Sequence, residues 1–531
     1  MKVLITCSGT GSRMGNYTKY TNKALVKIGD KFSIDYIIEN YNKVDNVEFV
    51  ITLGYFGDQV KQYLSLAYPN LKFNFVEVDK YEGEGSSQGY SILQAEKFLN
   101  EPFIFIACDT IILDDMYDSS INSFSKNNYR IDCNKIYLYK YNDSTNYTSV
   151  KCDDQKITSI HDKGETNFDF IYLGKCQIFD YESFWKILNE TYQKNKFDSS
   201  IGDINVYQKM IDKKITFKYK IIKNWYDAGT IRIFDQNINK KCKYNVLTKY
   251  DESISFLKDK VVKFFYNKER NLKRVKRVKF LNNLGPKILN FSDNFHTMEK
   301  IDSKPICEIY QDNIIYDLLN WTKKNLWVKK DTPENFSKIL YKFYYDKTIE
   351  RIDKCKKLNL QEFNIINGVE VGNILDLINK VDFEYLCKSE ATSFHGDFIL
   401  DNILMKNNDF VLIDWREDFG GDLENGDIYY DLAKLKHNIH LNHSNLEKEL
   451  FCLKNVNEDS CIVDIKCNYF LINQLKKYDK FVEENNLDSK KINILMSLIW
   501  INMAPLHEYP LNNFLLNFGK YNLHLTLVSS D

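Results

Sequence analysis

Gly9-Thr10-Gly11-Ser12-Arg13-Met14-Gly15 follows the apolar run Val3-Leu4-Ile5, and Lys23, within Asn22-Lys23-Ala24-Leu25, lies ten residues beyond Arg13. An apolar run that ends in a glycine-rich turn predicts a strand with a phosphate cradle at its carboxyl end. Glycines let backbone N–H groups close on a triphosphate. Arg13 and Lys23 add positive charge against the triphosphate and against a departing pyrophosphate. The G-x-G-x-x-G dinucleotide fingerprint is incomplete, because Met14 stands at its third glycine. A tight strand-to-helix connection accounts for the glycines but not for the two cations.

Outward from this loop, short apolar runs alternate with helical stretches: Val3–Ile5, Ile34–Tyr41, Glu48–Leu53, Val60–Leu66, Phe73–Val76, Tyr90–Phe98 and Phe103–Ala107. That alternation predicts βαβ units on a parallel sheet. Ligands in such sheets bind beyond the carboxyl ends of the strands. The residues placed there are Gly9–Arg13, Gly54–Tyr55, Gly83–Ser87 and Asp109. After Trp225–Thr230 the pattern changes to a polar Lys/Asn-rich stretch, followed by a new strand-like run at Val261–Tyr266. This places a boundary near residue 240, with domains at 1–240 and 241–531.

Two domains also follow from length, since a single core stops growing at about 250–300 residues and this chain has 531. Hydrophobic residues at 44% and charged residues at 27%, with only 7 Pro and 21 Gly, predict a chain folded almost throughout. A formal net charge of −1 gives no global field for nucleic acid or an anionic membrane. The basic run Lys268–Lys279 carries Leu272, Val275 and Val278 at helical spacing and reads as the solvated face of an amphipathic helix. Twelve Cys without a C-x-x-C pair fit a reducing cytoplasm, and neither a signal-peptide core nor a run long enough to insert in a membrane is present. The expected partners are small molecules and nucleotides.

In the second half, His395-Gly396-Asp397-Phe398-Ile399-Leu400-Asp401-Asn402 is followed, twelve residues after Asn402, by Asp414 in Leu412-Ile413-Asp414-Trp415. H-x-D-x-x-x-x-N is the kinase catalytic-loop spacing: Asp397 accepts the proton of the attacking hydroxyl, and Asn402 and Asp414 hold Mg²⁺ on ATP. A polar hairpin turn explains the loop alone, but not three such residues in register. His395 is expected to brace the loop through hydrogen bonds. Lys263, in Lys260-Val261-Val262-Lys263, is the expected lysine on the ATP phosphates, with Lys260 and Lys268 as alternatives and Glu269 as its ion-pair partner. His437, His440 and His443 lack a completing ligand set for a metal and are read as helix-surface residues.

The N-terminal set resembles the sugar-1-phosphate and phosphocholine nucleotidyltransferases, which carry a G-x-G-x-R loop and a lysine in a P-K-x-L-like motif. Here Asn22 replaces the proline. The resemblance continues in order over about 230 residues. It implies nucleotide binding by Gly9, Gly11 and the Glu82-Gly83-Glu84-Gly85-Ser86-Ser87 segment, with Gly83, Gly85 and Ser86 reading base and ribose. It also implies Mg²⁺ at Asp109 and at Asp227 in Trp225-Tyr226-Asp227-Ala228-Gly229-Thr230, and an acceptor-phosphate contact from Lys163. The H-G-D and I-D-W variants, and Gly426–Ala433 with Asp427 and Asp431, look like the aminoglycoside phosphotransferase and choline kinase group. Together the resemblances imply a doubly wound, Rossmann-like α/β nucleotidyltransferase domain joined to an α+β, two-lobed protein-kinase-like domain. The implied substrates are ATP and a second NTP, with CTP expected, and the implied role is supply of activated precursors for capsule or surface glycans. Two other readings stay open: a choline or ethanolamine acceptor, or one half serving only as a nucleotide-binding regulatory module.

Overall fold

The computed structural model describes residues 1–113, 131–229, 249–407 and 409–529. Strands β1 (Lys2–Cys7), β2 (Glu48–Leu53), β3 (Lys72–Glu77) and β4 (Phe103–Ala107) pair in parallel in the order β3-β2-β1-β4. Their apolar character on both faces has a direct cause. Val3 and Ile5 pack into a core beneath helices α1 (Ser33–Tyr41) and α2 (Gly57–Ala67), whereas Leu4 points into a second core on the opposite face. In α1, Ile34, Ile37, Ile38 and Tyr41 are buried at helical spacing, as are Val60, Tyr63, Leu64 and Ala67 in α2. A strand covered on both sides reads as a continuous hydrophobic run.

The parallel pairing expected from the alternation of the first 115 residues is present in these four strands, and the sheet continues beyond them in mixed form. Beyond β4 come β5 (Thr110–Ile112), β6 (Asn134–Tyr139), β7 (Ser149–Asp153), β8 (Lys156–His161), β9 (Phe170–Ile178), β10 (Phe217–Ile222) and β11 (Trp225–Asp227). The nine-stranded sheet runs β3-β2-β1-β4-β9-β6-β10-β8-β7, and β9 pairs antiparallel with both β4 and β6. The fold is mixed α/β. The βαβ alternation that signals parallel strands stops at β4, so the later half of the sheet follows a different rule.

Packing divides the chain into two compact units, Met1–Lys268 with Leu289–Lys300, and Glu269–Ile288 with Ile301–Asp531. The expected division at residue 240 falls outside the described residues. Val261–Tyr266 does contain a strand, but its apolar face is buried with the first unit. An antiparallel sheet of β12 (Glu252–Phe256), β13 (Lys260–Phe265), β14 (Ile288–Phe291) and β15 (Phe295–Glu299) runs in the order β12-β13-β15-β14. Leu257, Val262, Phe264 and Phe295 join the core under α1 and α2. Ser255 Oγ donates to the buried Asp35 carboxylate at 2.7 Å, and Asn294 N donates to Gln62 Oε1 at 3.0 Å. Lys263 lies on the opposite face of β13, paired in register with Ile254 and His296.

The second unit is mainly helical around one large core. Helix α3 (Lys268–Arg277) forms where the basic run predicts one, but its orientation corrects the expectation of a solvated basic face. Asn271, Arg274 and Arg277 are its buried residues, while Leu272 and Val275 are only half-buried. Arg277 is 1% exposed and donates to the backbone carbonyls of His395 at 3.1 Å, Arg416 at 2.6 Å and Leu423 at 3.2 Å, and to that of Phe394. Those acceptors are what allow a cation to be buried. Burial still lowers its pKa to about 9.

Candidate functional site

In the first unit the loops at the carboxyl ends of the strands converge. The β1 glycine loop turns at Gly11, where φ is 65° and an added Cβ would meet Thr18 Cγ2 at 2.9 Å and Lys23 Cβ at 3.2 Å. Glycine is required there by backbone conformation and by the close approach of the segment carrying Lys23. At Gly9 an added Cβ meets nothing within 4 Å, so the space above the loop is open to a ligand.

Asn22, fully buried, fixes the lysine. Its amide donates to Cys7 O at 2.8 Å and to Tyr55 O, and its Oδ1 caps the helical turn Lys23–Leu25 by accepting from Ala24 N at 2.8 Å. These bonds explain how asparagine serves where the family pattern has proline. Ser33 Oγ ties the same turn to the β4 end through Ala24 O at 3.0 Å and Cys108 O at 2.9 Å.

Lys23 Nζ forms an ion pair with Asp109 Oδ2. Asp227 is brought beside them by an antiparallel pairing of β5 with β11, in which Asp227 faces Thr110 and Ala228 N donates to Asp109 O at 2.9 Å. The meeting point is Gly229: a Cβ there would lie 2.4 Å from Asp109 Oδ2, 2.8 Å from Asp227 Oδ1 and 2.9 Å from Lys23 Nζ. Asp227 accepts from Gly229 N at 2.6 Å and from Tyr147 Oη at 2.9 Å. Thr230, the last residue of this motif, lies outside the described residues.

The electrostatics follow from this crowding. Burial, then the charge of Asp109, raises the pKa of Asp227. Burial acts against the charge of Asp109, but Lys23 more than offsets it and the pKa falls. Lys23 is likewise penalised by burial yet held cationic by Asp109. Lys163 is exposed, and burial of part of its stem, followed by the nearby Arg13 charge, lowers its pKa. Arg13 also acts on Lys23, Asp109 and Tyr147. Arg13, Lys23, Asp109, Lys163 and Asp227 therefore share one site. Tyr147 and Gly229 belong to it as well. Tyr147 carried no sequence signal, being one of 36 tyrosines.

Gly83 and Gly85 turn with φ of 74° and 83°, and Ser86 Oγ donates to Gly83 O at 2.7 Å. Ser87 caps the helix Gln88–Leu93, whose Ser91 Oγ accepts from Ser8 Oγ at 2.8 Å, so this segment borders the same sheet edge as the glycine loop.

The donor set suits Mg²⁺. Among the described residues no group of three or more His, Cys, Asp or Glu could hold a metal. A pair of carboxylates around a space that one Cβ would fill matches an ion bound by one or two carboxylates plus substrate phosphates.

The second unit places Asp397, Asn402 and Asp414 together. His395 is fully buried. Its Nε2 lies 3.0 Å from Ile413 O and its Nδ1 accepts from Asp397 N at 3.3 Å, a neutral tautomer that braces the loop. Burial lowers its pKa to about 4.

Helix α4 (Ile428–His440) holds the loop from beneath. Asp431 accepts from His395 N at 2.8 Å and Gly396 N at 2.7 Å, Asn438 Oδ1 accepts from Leu400 N at 2.9 Å, and Lys434 Nζ lies 2.8 Å from Asp397 Oδ1. Asn402 Nδ2 donates to Asp397 Oδ2 at 3.2 Å. Burial opposes the Asp397 charge, but Lys434 draws its pKa well below the usual carboxylate range.

Asp414, at φ 56°, follows the hairpin of β16 (Ile403–Lys406) and β17 (Asp409–Leu412) and pairs with Arg274 of α3. Glu269 pairs with Lys273 at 2.9 Å. The histidines are not surface residues, as the sequence suggested. His437 is 3% exposed, His440 packs against Trp500, and His443, beyond the end of α4, meets Asp401 at 3.1 Å.

With this geometry in view, residues 2–243 match the nucleotidyl transferase family model. The chain is 26% identical over 222 residues to the D-glycero-alpha-D-manno-heptose 1-phosphate guanylyltransferase of Campylobacter jejuni, covering 39% of this chain and 95% of that protein. It is 27% identical to the choline-phosphate cytidylyltransferase of Streptococcus pneumoniae, covering 33% of this chain and 80% of that protein. Against the bifunctional protein GlmU of Methanococcus vannielii it is 24% identical, over 43% of this chain and 52% of that protein. No helix among the described residues is long and apolar enough to cross a membrane. Over residues 2–243 the N-terminal region of this chain is similar to the nucleotidyl transferase family.

Proposed function

We propose that the chain carries out two reactions in sequence. The C-terminal region transfers the γ-phosphoryl group of ATP to the hydroxyl of a small sugar- or polyol-type compound. The N-terminal nucleotidyltransferase then joins that phosphomonoester to an NTP, with CTP expected, and releases pyrophosphate. The products would serve as activated precursors for capsule or surface-glycan assembly.

In the first reaction the acceptor oxygen bonds to the γ-phosphorus as the bond to the β-phosphate oxygen breaks, the hydroxyl proton passes to Asp397, and ADP leaves. Asn402 and Asp414 are the residues that would hold Mg²⁺ there, and Lys263 is the lysine proposed for the ATP phosphates. In the second reaction a phosphate oxygen attacks the α-phosphorus of the NTP and pyrophosphate departs. Lys23 and Arg13 offset charge on the triphosphate, Lys163 holds the acceptor phosphate, and Gly9, Gly11, Gly83, Gly85 and Ser86 line the nucleotide. Asp109 and Asp227 would hold Mg²⁺, which supplies Lewis-acid stabilisation of the phosphoryl oxygens.

One observation carries the bifunctional reading: Asp397, a half-buried anion, has Asn402 on one oxygen and Lys434 on the other. That is the environment of a base poised for a hydroxyl proton beside a metal-ligand amide. The heptose-phosphate relative supports a sugar-type acceptor, and the choline-phosphate relative keeps choline phosphate as the second reading.

The test is a bypass. Asp397→Asn should prevent formation of the nucleotide-linked product from acceptor, ATP and NTP, yet allow it when the phosphorylated acceptor is supplied. A folded variant that the phosphorylated compound fails to rescue, with the wild type active on it, would refute the sequence of reactions.

A further inference from the structure

Beside Asp397 lies a group of cations that the proposed chemistry does not use. Lys347 and Arg351 are one turn apart on the helix Lys347–Lys357, and Arg416 follows the loop of Asp414. The ammonium of Lys347 sits 4.2 Å from the centre of the Phe343 ring and 5.7 Å from that of Tyr430, while the Arg416 guanidinium lies 5.0 Å from the same Phe343 ring. Two cations thus lie close to one aromatic ring, which also stacks on Phe419. No carboxylate lies within ion-pair distance of Lys347, Arg351 or Arg416 among the described residues, and the Nε atoms of Arg351 and Arg416 are buried without a hydrogen-bond partner. Burial first, then the charges of Arg416, Lys434 and Arg351, lower the pKa of Lys347 well below that of an ordinary lysine, with Glu417 opposing them.

Glu417 acts on Lys347 and Arg416, and Glu350 on Lys347 and Arg351, without closing an ion pair; like charges compensated only in this way remain costly to gather, and a bound anion relieves that cost. The position of the cluster indicates which anion. Asn402 on Asp397 Oδ2 marks the side expected to hold metal and ATP, whereas Lys434 on Oδ1 marks the other side and is itself within electrostatic reach of Arg416 and Lys347. An acceptor whose hydroxyl approaches Asp397 from the Lys434 side brings its remaining groups toward Lys347, Arg351 and Arg416.

We infer that the hydroxyl compound phosphorylated at Asp397 is an anion, such as a hydroxy acid or sugar acid whose carboxylate is held by Lys347, Arg351 and Arg416, and not a quaternary ammonium or amino alcohol. This rests on the kinase reading above. A choline site calls for anionic and aromatic groups around the ammonium, whereas here Phe343 is stacked on Phe419 and approached by Lys347 and Arg416.

The experiment measures acceptor-dependent ADP release by the full chain with ATP and Mg²⁺, using each compound in acid and alcohol form: glycerate against glycerol, gluconate against glucose, and choline and ethanolamine as cations. The expected result is turnover with the acids that is lost in Asp397→Asn. Lys347→Met or Arg351→Met should raise the acceptor KM at least tenfold while the KM for ATP stays within twofold, and Lys347→Arg should recover most of the loss. Having two separate methionine variants guards against a folding failure in one. Asp397-dependent turnover favouring choline, ethanolamine or the neutral alcohols would overturn the inference and leave the kinase reading intact. A rise in the KM for ATP instead of the acceptor would overturn it by assigning the cations to the nucleotide. Absence of ADP release with every compound, or release indifferent to Asp397→Asn, would sink the kinase reading itself.

Discussion

Gly229→Ala is the sharpest probe of the nucleotidyltransferase site. The added carbon would stand 2.4 Å from Asp109 Oδ2, 2.8 Å from Asp227 Oδ1 and 2.9 Å from Lys23 Nζ. Ordinary contact between such atoms is longer, so the two carboxylates and the ammonium must part by a total on the order of 1 Å, and misplacement of reacting groups by that much costs about 100-fold in rate. The stability cost should be of similar size or smaller, since 100-fold in rate corresponds to about 2.7 kcal/mol. Overpacking costs about 1–3 kcal/mol, offset by up to ~1 kcal/mol because alanine restricts the unfolded chain more than glycine. The assay follows pyrophosphate release with an NTP and a phosphomonoester across a Mg²⁺ titration, alongside thermal unfolding. The expected result is a fall in kcat of about 100-fold, a weakened response to Mg²⁺ and a cooperative unfolding transition with Tm lowered by some degrees. A variant with wild-type kcat and Mg²⁺ dependence would show that the space at Gly229 is not where the metal and phosphates meet, and the assignment of Asp109 and Asp227 would fail with it.

Two further outcomes are expected. Asp35, fully buried beneath Tyr63, Tyr68 and Ser255, has its pKa raised by burial to about 6, so the folded state binds a proton more tightly than the unfolded chain. Stability should therefore fall as pH rises from about 4 to about 6; Asp203 and Asp431, each also raised to about 6 by burial, push the same way. Asp35→Asn should remove part of that slope in urea denaturation, and an unchanged slope would refute the role of Asp35. A fragment of residues 1–248 should unfold at lower urea than one of residues 1–300, because it lacks Leu257, Val262, Phe264 and Phe295 from the core under α1 and α2. Equal midpoints would refute that packing.

The candidate site residues could be singled out in the sequence because their motifs are local. Gly11 must adopt a positive φ, Lys23 follows on the next turn, and Asp397 and Asn402 sit within one loop, so short-range spacing constrains each. Residues acting through distant partners were not legible. Tyr147 reaches Asp227 across 80 positions. Arg274 and Arg277 read as a solvated basic face because charge pattern alone cannot show that backbone carbonyls from residues 394–423 and the Asp414 carboxylate wait for them.

The sequence by itself determined the strand-and-loop character of β1, the parallel half of the sheet and the strand at β13, since these depend on hydrophobic periodicity and on what glycine permits. Only the tertiary structure decided which core β13 enters. The alternation of Val262 and Phe264 demands an apolar partner without naming it, and α1 and α2, some 200 residues earlier, supply that partner through the buried bond of Ser255 to Asp35. It likewise brought Asp109 and Asp227 around Gly229, because two carboxylates separated by more than a hundred residues meet only once β5 and β11 have paired.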